Sequence, residues 1–261
     1  MKEGTGDAGW DDLIRELDAW QGEGLTATLW WRDDDATKIT GALENMLDIC
    51  ENTQVPLALA VIPARADPGL GDCLAGHRRV SVLQHGLAHL NHEAEGHKKS
   101  EFGGGRDLSQ GRADIREGRE ILSRWEAFLP VFVPPWNRMD HRFIEILPDL
   151  GITAISAFKA RPTRNPAAGL KAINSHVDII QSRDGHRHFI GVGRAIHAIV
   201  DHLSARRQGR VDREEPSGIL THHLDHDDES WTFLERLFRA AGKHPAARWL
   251  SAAEIFKPET Q

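Results

Sequence analysis

The nine residues Val55–Pro63 read VPLALAVIP, a continuous apolar run that a proline stops. A strand with both faces buried has this character, because helices cover both sides of a parallel sheet. The flanking segments agree with this interpretation. Lys38–Asn52 has a helical pattern, and Val80–Leu83 (VSVL) is another short apolar strand. The stretch therefore predicts a buried parallel strand in an α/β sheet.

Strands and helices alternate along the rest of the chain, and the strands are apolar throughout. The predicted strands span residues 25–31, 55–63, 80–83, 131–133, 151–157, 172–180 and 219–220. The predicted helices span residues 11–20, 38–52, 107–128, 142–150, 194–206 and 228–241. About seven βα units in a chain of this length predict a closed or nearly closed barrel, forming a single domain over residues 1–261.

The composition limits the classes of function. The 32 Lys and Arg residues are outnumbered by 39 Asp and Glu residues, so the net charge is −7 and nucleic acid is not the expected partner. The two cysteines have no CxxC spacing, which argues against a thiolate zinc site and a disulfide framework. No apolar run has the length of a membrane span, and the polar N-terminus lacks an apolar signal segment. We therefore expect a cytoplasmic protein with no membrane span.

Polar clusters follow four of the predicted strands. They are RDDDA (residues 32–36), QHGLAH (84–89), PPWN (134–137) and THH (221–223). In parallel α/β barrels the C-terminal ends of the strands form the catalytic face. We therefore expect these four distant clusters to meet at one site.

The spacing of His85 and His89 predicts a metal site. On a loop that starts a helical turn, residues i and i+4 place both imidazoles on one side. With one carboxylate from RDDDA they form a two-His, one-Asp site that suits zinc, cobalt, nickel or iron. Such an ion lowers the pKa of a water to about 7 and polarises a carbonyl, which predicts hydrolysis of an amide or ester.

Each cluster alone has a simpler interpretation. An isolated H-x-x-x-H is a weak signal, three aspartates also make a solvated turn or a helix cap, and two adjacent histidines also make a buried polar pair. The prediction depends on the occurrence of all of them at strand ends.

Taken in order, the four clusters resemble the motif series of the polysaccharide deacetylase family over about residues 25–226. The resemblance implies a distorted (β/α)7 TIM-like barrel with mostly parallel strands. It also implies one divalent metal ion, zinc by default, and removal of an N- or O-acetyl group from a carbohydrate. The expected partner is therefore an acetylated sugar or related small molecule, and the oligomeric state stays open.

In the family pattern, paired aspartates supply a base and then a metal ligand. The resemblance therefore implies that Asp34 is the base and that Asp35, His85 and His89 hold the metal. A shift by one residue, to Asp33 and Asp34, is the alternative.

The closing Leu-x-His motif of the family matches ILTHH. It implies that His222 is the proton donor, with His223 as the second candidate. Asp178 is a candidate partner for His222, since an acid histidine needs an orienting carboxylate. His92, beside the metal motif, is a candidate second-layer residue.

The third motif departs from the family pattern, because Val133 stands where the family has an arginine that orients the base. Arg32 or Arg138 is the candidate replacement. Trp136 provides an aromatic wall for a sugar or packs at the barrel rim. The implied substrate-binding residues are Pro135, Trp136 and Asn137. The missing arginine also motivates an alternative function, a catalytically impaired protein of this fold that binds a glycan.

Overall fold

The computed structural model describes residues 8–183 and 185–257. Its strands are β1 (Ala27–Ala36), β2 (Leu57–Val61), β3 (Val80–His85), β4 (Phe128–Val133), β5 (Ala154–Ile155), β6 (Lys171–Ala172), β7 (Val177–Asp178), β8 (Ile180–Arg183), β9 (His186–Phe189), β10 (Ser217–Thr221) and β11 (Ala247–Trp249). The main sheet has the order β6-β5-β4-β3-β2-β1-β10-β7, with β11 also paired to β1. All of its pairings are parallel, as the apolar strands predicted.

One extended segment, residues 171–178, closes the sheet into a barrel. At its start β6 pairs with β5, and at its end β7 pairs with β10, the other edge of the sheet. Between them the Ile173 N–H donates to the Ile155 carbonyl, and the His176 N–H donates to the Gly218 carbonyl. The predicted continuous strand 172–180 is therefore wrong, because the segment must bend as it passes from one edge to the other. The distorted, mostly parallel barrel itself is confirmed.

The helices are α1 (Ala8–Gly22), α2 (Gly41–Thr53), α3 (Pro68–Ala75), α4 (Leu108–Leu122), α5 (His141–Ile146), α6 (Val192–Arg207), α7 (Asp228–Lys243) and α8 (Ala252–Ile255). The predicted helix 107–128 ends early at Leu122, because Phe128 already begins β4. Helix α3, which starts with a proline in its first turn, was not predicted from the sequence. Within the described residues, no helix is both long and apolar enough to cross a membrane.

The side chains of β1 alternate between two cores. Trp30 lies inside the barrel, 5.6 Å from Phe256 between ring centroids, in the cluster that includes Ile255 of α8. Trp31 faces the opposite way and packs with the outer helices, 4.7 Å from Phe238. Because the side-chain period of a strand is two, Arg32 and Trp30 share the inner face. The apolar barrel core therefore supports the polar residues that follow it on β1.

Candidate metal and active site

A bulge in β1 places the aspartates. Asp33 pairs with Leu59 and Ala36 with Val61, so β1 spends three steps where β2 spends two. Asp35 has a φ of +73°, in the left-handed region. A bulge of this kind redirects a side chain at the end of a strand. It brings both Asp34 and Asp35 to the cavity at the barrel mouth, although side chains of adjacent strand residues normally point to opposite faces.

Asp35, His85 and His89 converge on one point. The Oδ1 atom of Asp35 lies 3.2 Å from Nε2 of His85 and 3.4 Å from Nε2 of His89. In the described part of the chain, this is the group of potential ligands whose donor atoms all lie within 4.8 Å of one another. Nδ1 of His85 lies 3.0 Å from the Val133 carbonyl oxygen, so an Nδ1–H donates there and leaves Nε2 as the ligand atom. The donor set fits one divalent transition metal.

The charges in this group favour a cation. Burial raises the pKa of Asp35, but the hydrogen bond and charge of His85 outweigh burial and hold that pKa well below its usual value. Burial and the charge of His85 lower the pKa of His89 to about 4. Burial lowers the pKa of His85, whereas the hydrogen bond to Asp35 and the charge of Asp34 raise it more, so the net shift is upward. The ionised Asp35 and the neutral His89 are in the states that metal binding requires, whereas His85 binds an ion only when its Nε2 atom carries no proton.

A buried carboxylate holds the loop between the two histidines. Glu101 is 1% exposed, and it accepts hydrogen bonds from the backbone N–H groups of Leu87 at 3.2 Å and Ala88 at 2.8 Å. Gly86 has a φ of +61°, and a Cβ there would lie 2.0 Å from Oε2 of Glu101. His89 also has a positive φ, +55°. The expected helical turn is therefore wrong, and Glu101, which sequence reasoning did not select as a site residue, holds the loop that carries the ligands.

Arg32 forms an ion pair with Asp34 in the barrel interior. Their atoms pair at 2.9 Å (Nε to Oδ1) and 3.0 Å (Nη2 to Oδ2), and both side chains are buried. Arg32 also donates to Asn137 Oδ1 at 2.6 Å and to Ser156 Oγ at 2.7 Å. Arg32 therefore contacts the predicted base, whereas Arg138, the other candidate, donates to the backbone of Lys99.

Asp33 and His223 form a separate buried pair. Nδ1 of His223 lies 2.6 Å from Oδ1 of Asp33, and Oδ2 of Asp33 accepts from Thr221 Oγ1 and from the His223 N–H. Burial raises the pKa of Asp33, but the charge of His223 and the hydrogen bonds from His223 and Thr221 together lower it more, and Asp33 in turn raises the pKa of His223 against the effect of burial. Neither residue lines the cavity. The alternatives that used Asp33 as base and His223 as proton donor therefore have no geometric support.

His222 lines the same cavity as Asp35, His85 and His89 and is 8% exposed. Its Nδ1 atom is 3.7 Å from Oδ1 of Asp178, the carboxylate that the sequence analysis selected. Burial raises the pKa of Asp178 despite the opposing charge of His222. His92 is exposed and is not among the residues that line the cavity, so its second-layer role stays a prediction. The loop carries the His92 side chain outward, while its backbone N–H bonds to the Ser100 carbonyl.

The third motif contributes one wall. The ring of Trp136 lies 4.2 Å from that of His89 between centroids, and Trp136 and Asn137 line the cavity. Pro135 does not, because it is buried against Gly86, where an added Cβ would meet its Cγ at 2.6 Å. The predicted substrate contact of Pro135 is therefore wrong.

Arg187, on the β8–β9 hairpin, is a residue of the site that sequence reasoning missed. Its Nη1 lies 3.2 Å from Oδ2 of Asp35, and its Nε lies 3.1 Å from Oδ2 of Asp225. The two oxygens of Asp35 are thus divided, since Oδ1 faces the histidines and Oδ2 faces the arginine. The segment HRHF gave no signal for this role, because a polar residue on a short hairpin is usually solvated.

The cavity has a volume of about 540 Å³. The residues that line it come from the ends of several strands and from the hairpin: Asp34, Asp35, His85, His89, Lys99, Trp136, Asn137, Arg138, Asp178, Ile180, Ser182, Gly185, Arg187 and His222.

Fold and site together define the class, an α/β-barrel protein with a two-His, one-Asp group at the C-terminal ends of its strands. Comparison with solved structures gives the particular fold. The chain matches a candidate polysaccharide deacetylase from Mycobacterium smegmatis with a TM-score of 0.61 and 14% identity, covering 90% of this chain and 94% of that one. The fold is therefore that of the polysaccharide deacetylases, which confirms the resemblance at the level of structure.

Two further structures support this result. One is the Bc1960 peptidoglycan N-acetylglucosamine deacetylase in complex with 4-naphthalen-1-yl-N-oxidanyl-benzamide (TM-score 0.55, 15% identity, 94% of this chain and 99% of that one). The other is a family 4 acetyl xylan esterase from Clostridium thermocellum in complex with a cobalt ion (TM-score 0.54, 10% identity, 88% and 90%). No family model matches the chain, and a search among curated proteins finds no relative.

Proposed function

We propose that the protein is a metal-dependent hydrolase that removes an acetyl group from an N- or O-acetylated carbohydrate or a related amide. The observation that carries the proposal is the convergence of Asp35, His85 and His89 beside Asp34, in one cavity with His222. Structural neighbours that are described as a deacetylase and an acetyl xylan esterase support the same reaction class.

Asp35, His85 and His89 would hold the metal ion. A divalent ion there would supply a Lewis acid that polarises the acyl carbonyl and makes a water more acidic. Zinc is the proposed ion, because two imidazoles and one carboxylate are a common donor set for it. The other divalent transition metals fit these ligands too, and one neighbour contains cobalt.

Asp34 is the proposed base. It takes the proton of the water that attacks the acyl carbon, so its carboxylate must face the cavity in a fixed orientation. Arg32 provides that orientation through two contacts to the carboxylate, and Asn137 and Ser156 hold the guanidinium in turn. Asn137, predicted to bind substrate, is thus proposed to act through Arg32.

His222 is the proposed acid. It gives a proton to the departing amine or alcohol when the bond to the acyl carbon breaks. Asp178 lies on its Nδ1 side, so the Nε2 side is left for the leaving group. Trp136 supplies a flat apolar surface beside His89, which suits one face of a sugar ring.

The impaired, glycan-binding alternative rested on the missing arginine of the third motif. Arg32 now contacts the carboxylate that such an arginine would orient. This contact favours the active enzyme.

The direct test is acetate release from N-acetylglucosamine oligomers and acetylated xylan by zinc-loaded protein. Asp34→Asn should abolish release and keep the zinc, whereas Asp72→Asn, a change at an exposed aspartate outside the cavity, should do neither. Glycan binding without acetate release by the wild type would reject the hydrolase and support the alternative. The cytoplasmic location stays a prediction, which cell fractionation tests.

A further inference from the structure

We infer that the substrate carries an anionic group, a carboxylate or a phosphate, beside its acyl group, and that Arg187, Lys99 and Arg138 bind that group. The inference rests on the proposed function and deepens it by naming the substrate class.

Basic and acidic side chains both surround the cavity. Lys99, Arg138 and Arg187 line it together with the carboxylates of Asp34, Asp35 and Asp178. Behind the wall, Arg32 and Asp225 cancel one another, and Glu101 adds one carboxylate below the loop that carries the ligands. These described side chains thus carry one net negative charge, and a bound divalent ion would leave one positive charge in excess. An anionic ligand compensates such an excess, whereas a neutral sugar does not.

Arg187 has a donor to spare. Its Nη1 and Nε are engaged by Asp35 and Asp225, but Nη2 has no hydrogen-bond partner among the residues that the structure describes. The side chain is 35% exposed, and it lines the cavity directly beside a metal ligand. A guanidinium fixed on two edges presents its third donor in a defined direction, which suits a carboxylate or phosphate oxygen.

Lys99 and Arg138 approach from another part of the chain. Nη1 of Arg138 donates to the Lys99 carbonyl at 3.1 Å, so the two residues are held together. Both are exposed, and within the described ranges neither forms an ion pair with a carboxylate. Among the described residues, the charges of these two side chains are therefore left for solvent or a ligand. A substrate anchored by its acyl group at the metal would meet them at the cavity rim.

The test measures binding, so that it does not depend on turnover. The protein used is the zinc-loaded His222→Gln variant, because this change removes the proposed acid without changing the charge balance. Calorimetry gives the Kd of three probes for this variant. They are N-acetylmuramic acid with a carboxylate, N-acetylglucosamine 6-phosphate with a phosphate, and neutral N-acetylglucosamine. We expect one charged probe to bind about tenfold more tightly than the neutral one. The charged probe that binds more tightly identifies the anionic group of the substrate as a carboxylate or a phosphate.

The variants assign the preference to the proposed residues. Lys99→Gln or Arg187→Gln in the same background should remove most of it, with the zinc content of each variant measured in parallel. Arg112→Gln is the matched control, because Arg112, on α4, is a similarly exposed arginine that pairs with Asp149 outside the cavity. It should leave the preference intact.

A failure of this inference can be distinguished from a failure of the proposed function. Equal affinities for all three probes, or no binding of any, contradict the inference. If the wild type still releases acetate from a neutral substrate, only the inference falls and the proposed function stands. If the wild type binds no zinc, the proposed function falls, and the inference falls with it.

Discussion

Arg32 and Asp34 form a two-point ion pair inside the barrel, with Nε 2.9 Å from Oδ1 and Nη2 3.0 Å from Oδ2. The two residues lie two positions apart on β1. This contact supports the proposal that Arg32, in the first motif, takes the place of the arginine that the third motif lacks at Val133.

This relationship predicts the effect of Arg32→Lys. Lysine keeps the charge but cannot make two parallel contacts, so Asp34 loses its fixed orientation. We expect kcat to fall about 10- to 100-fold, with zinc content unchanged, in steady-state acetate release.

The matched control is Arg161→Lys. Arg161 is also buried and also binds one aspartate, Asp212, through two nitrogen atoms. This control should lose stability but keep kcat. Full activity in Arg32→Lys would show that the pair is only structural.

Glu101→Gln should weaken metal binding. Leu87 and Ala88 donate to different oxygens of Glu101, whereas a glutamine amide has one acceptor oxygen, so one N–H group would face the NH2 group and the loop between His85 and His89 would loosen. Residues behind metal ligands usually contribute about 10- to 100-fold in affinity, and we expect a loss in that range when a chromophoric chelator competes for zinc.

Glu95→Gln is the control for the same loop, because Glu95 is exposed. Its zinc affinity should equal that of the wild type. An unchanged affinity in Glu101→Gln would mean that the backbone alone holds the ligands in place.

A partly buried pair of stacked histidines predicts how stability depends on pH. His202 lies 3.7 Å from His176 between ring centroids, and burial, followed by the charges of His176 and Arg206, lowers the pKa of His202 to about 2. In the unfolded chain an imidazole titrates near pH 6.5. Below that pH the unfolded state therefore binds a proton that the folded state does not bind. The free energy of unfolding consequently falls as the pH falls.

The variant His202→Gln removes this titration. From pH 7.5 to pH 5 the wild type should lose about 2 kcal/mol more of its free energy of unfolding than the variant does. Urea denaturation at the two pH values measures the difference, with the exposed His197→Gln as control. Equal losses in wild type and His202→Gln would contradict the assigned pKa.

The sequence predicted most of the barrel, because its strands are apolar and end at polar clusters. It did not predict the bend in residues 171–178 or the β8–β9 hairpin. The bend arises because one segment serves both edges of a closing sheet, and such long-range pairing leaves no local pattern.

The candidate site was predicted where the residues themselves carry the chemistry, as His85, His89 and the aspartates do. Glu101 and Arg187 were missed because their roles come from tertiary contacts. Glu101 contacts the loop between His85 and His89, and Arg187 contacts Asp35, and no spacing along the chain indicates either contact. Pro135 was misplaced for the same reason, since its packing against Gly86 is a tertiary contact.

The most direct test of the account is the metal content of protein purified without added metal and then loaded with zinc. Wild type, His85→Ala and His197→Ala are compared, because His197 also lies beside an aspartate, Asp201, but on the surface of α6. We predict about one equivalent of a divalent metal in the wild type and in His197→Ala, and its loss in His85→Ala. No stoichiometric metal in the wild type after loading, or an undiminished equivalent in His85→Ala, would contradict the account.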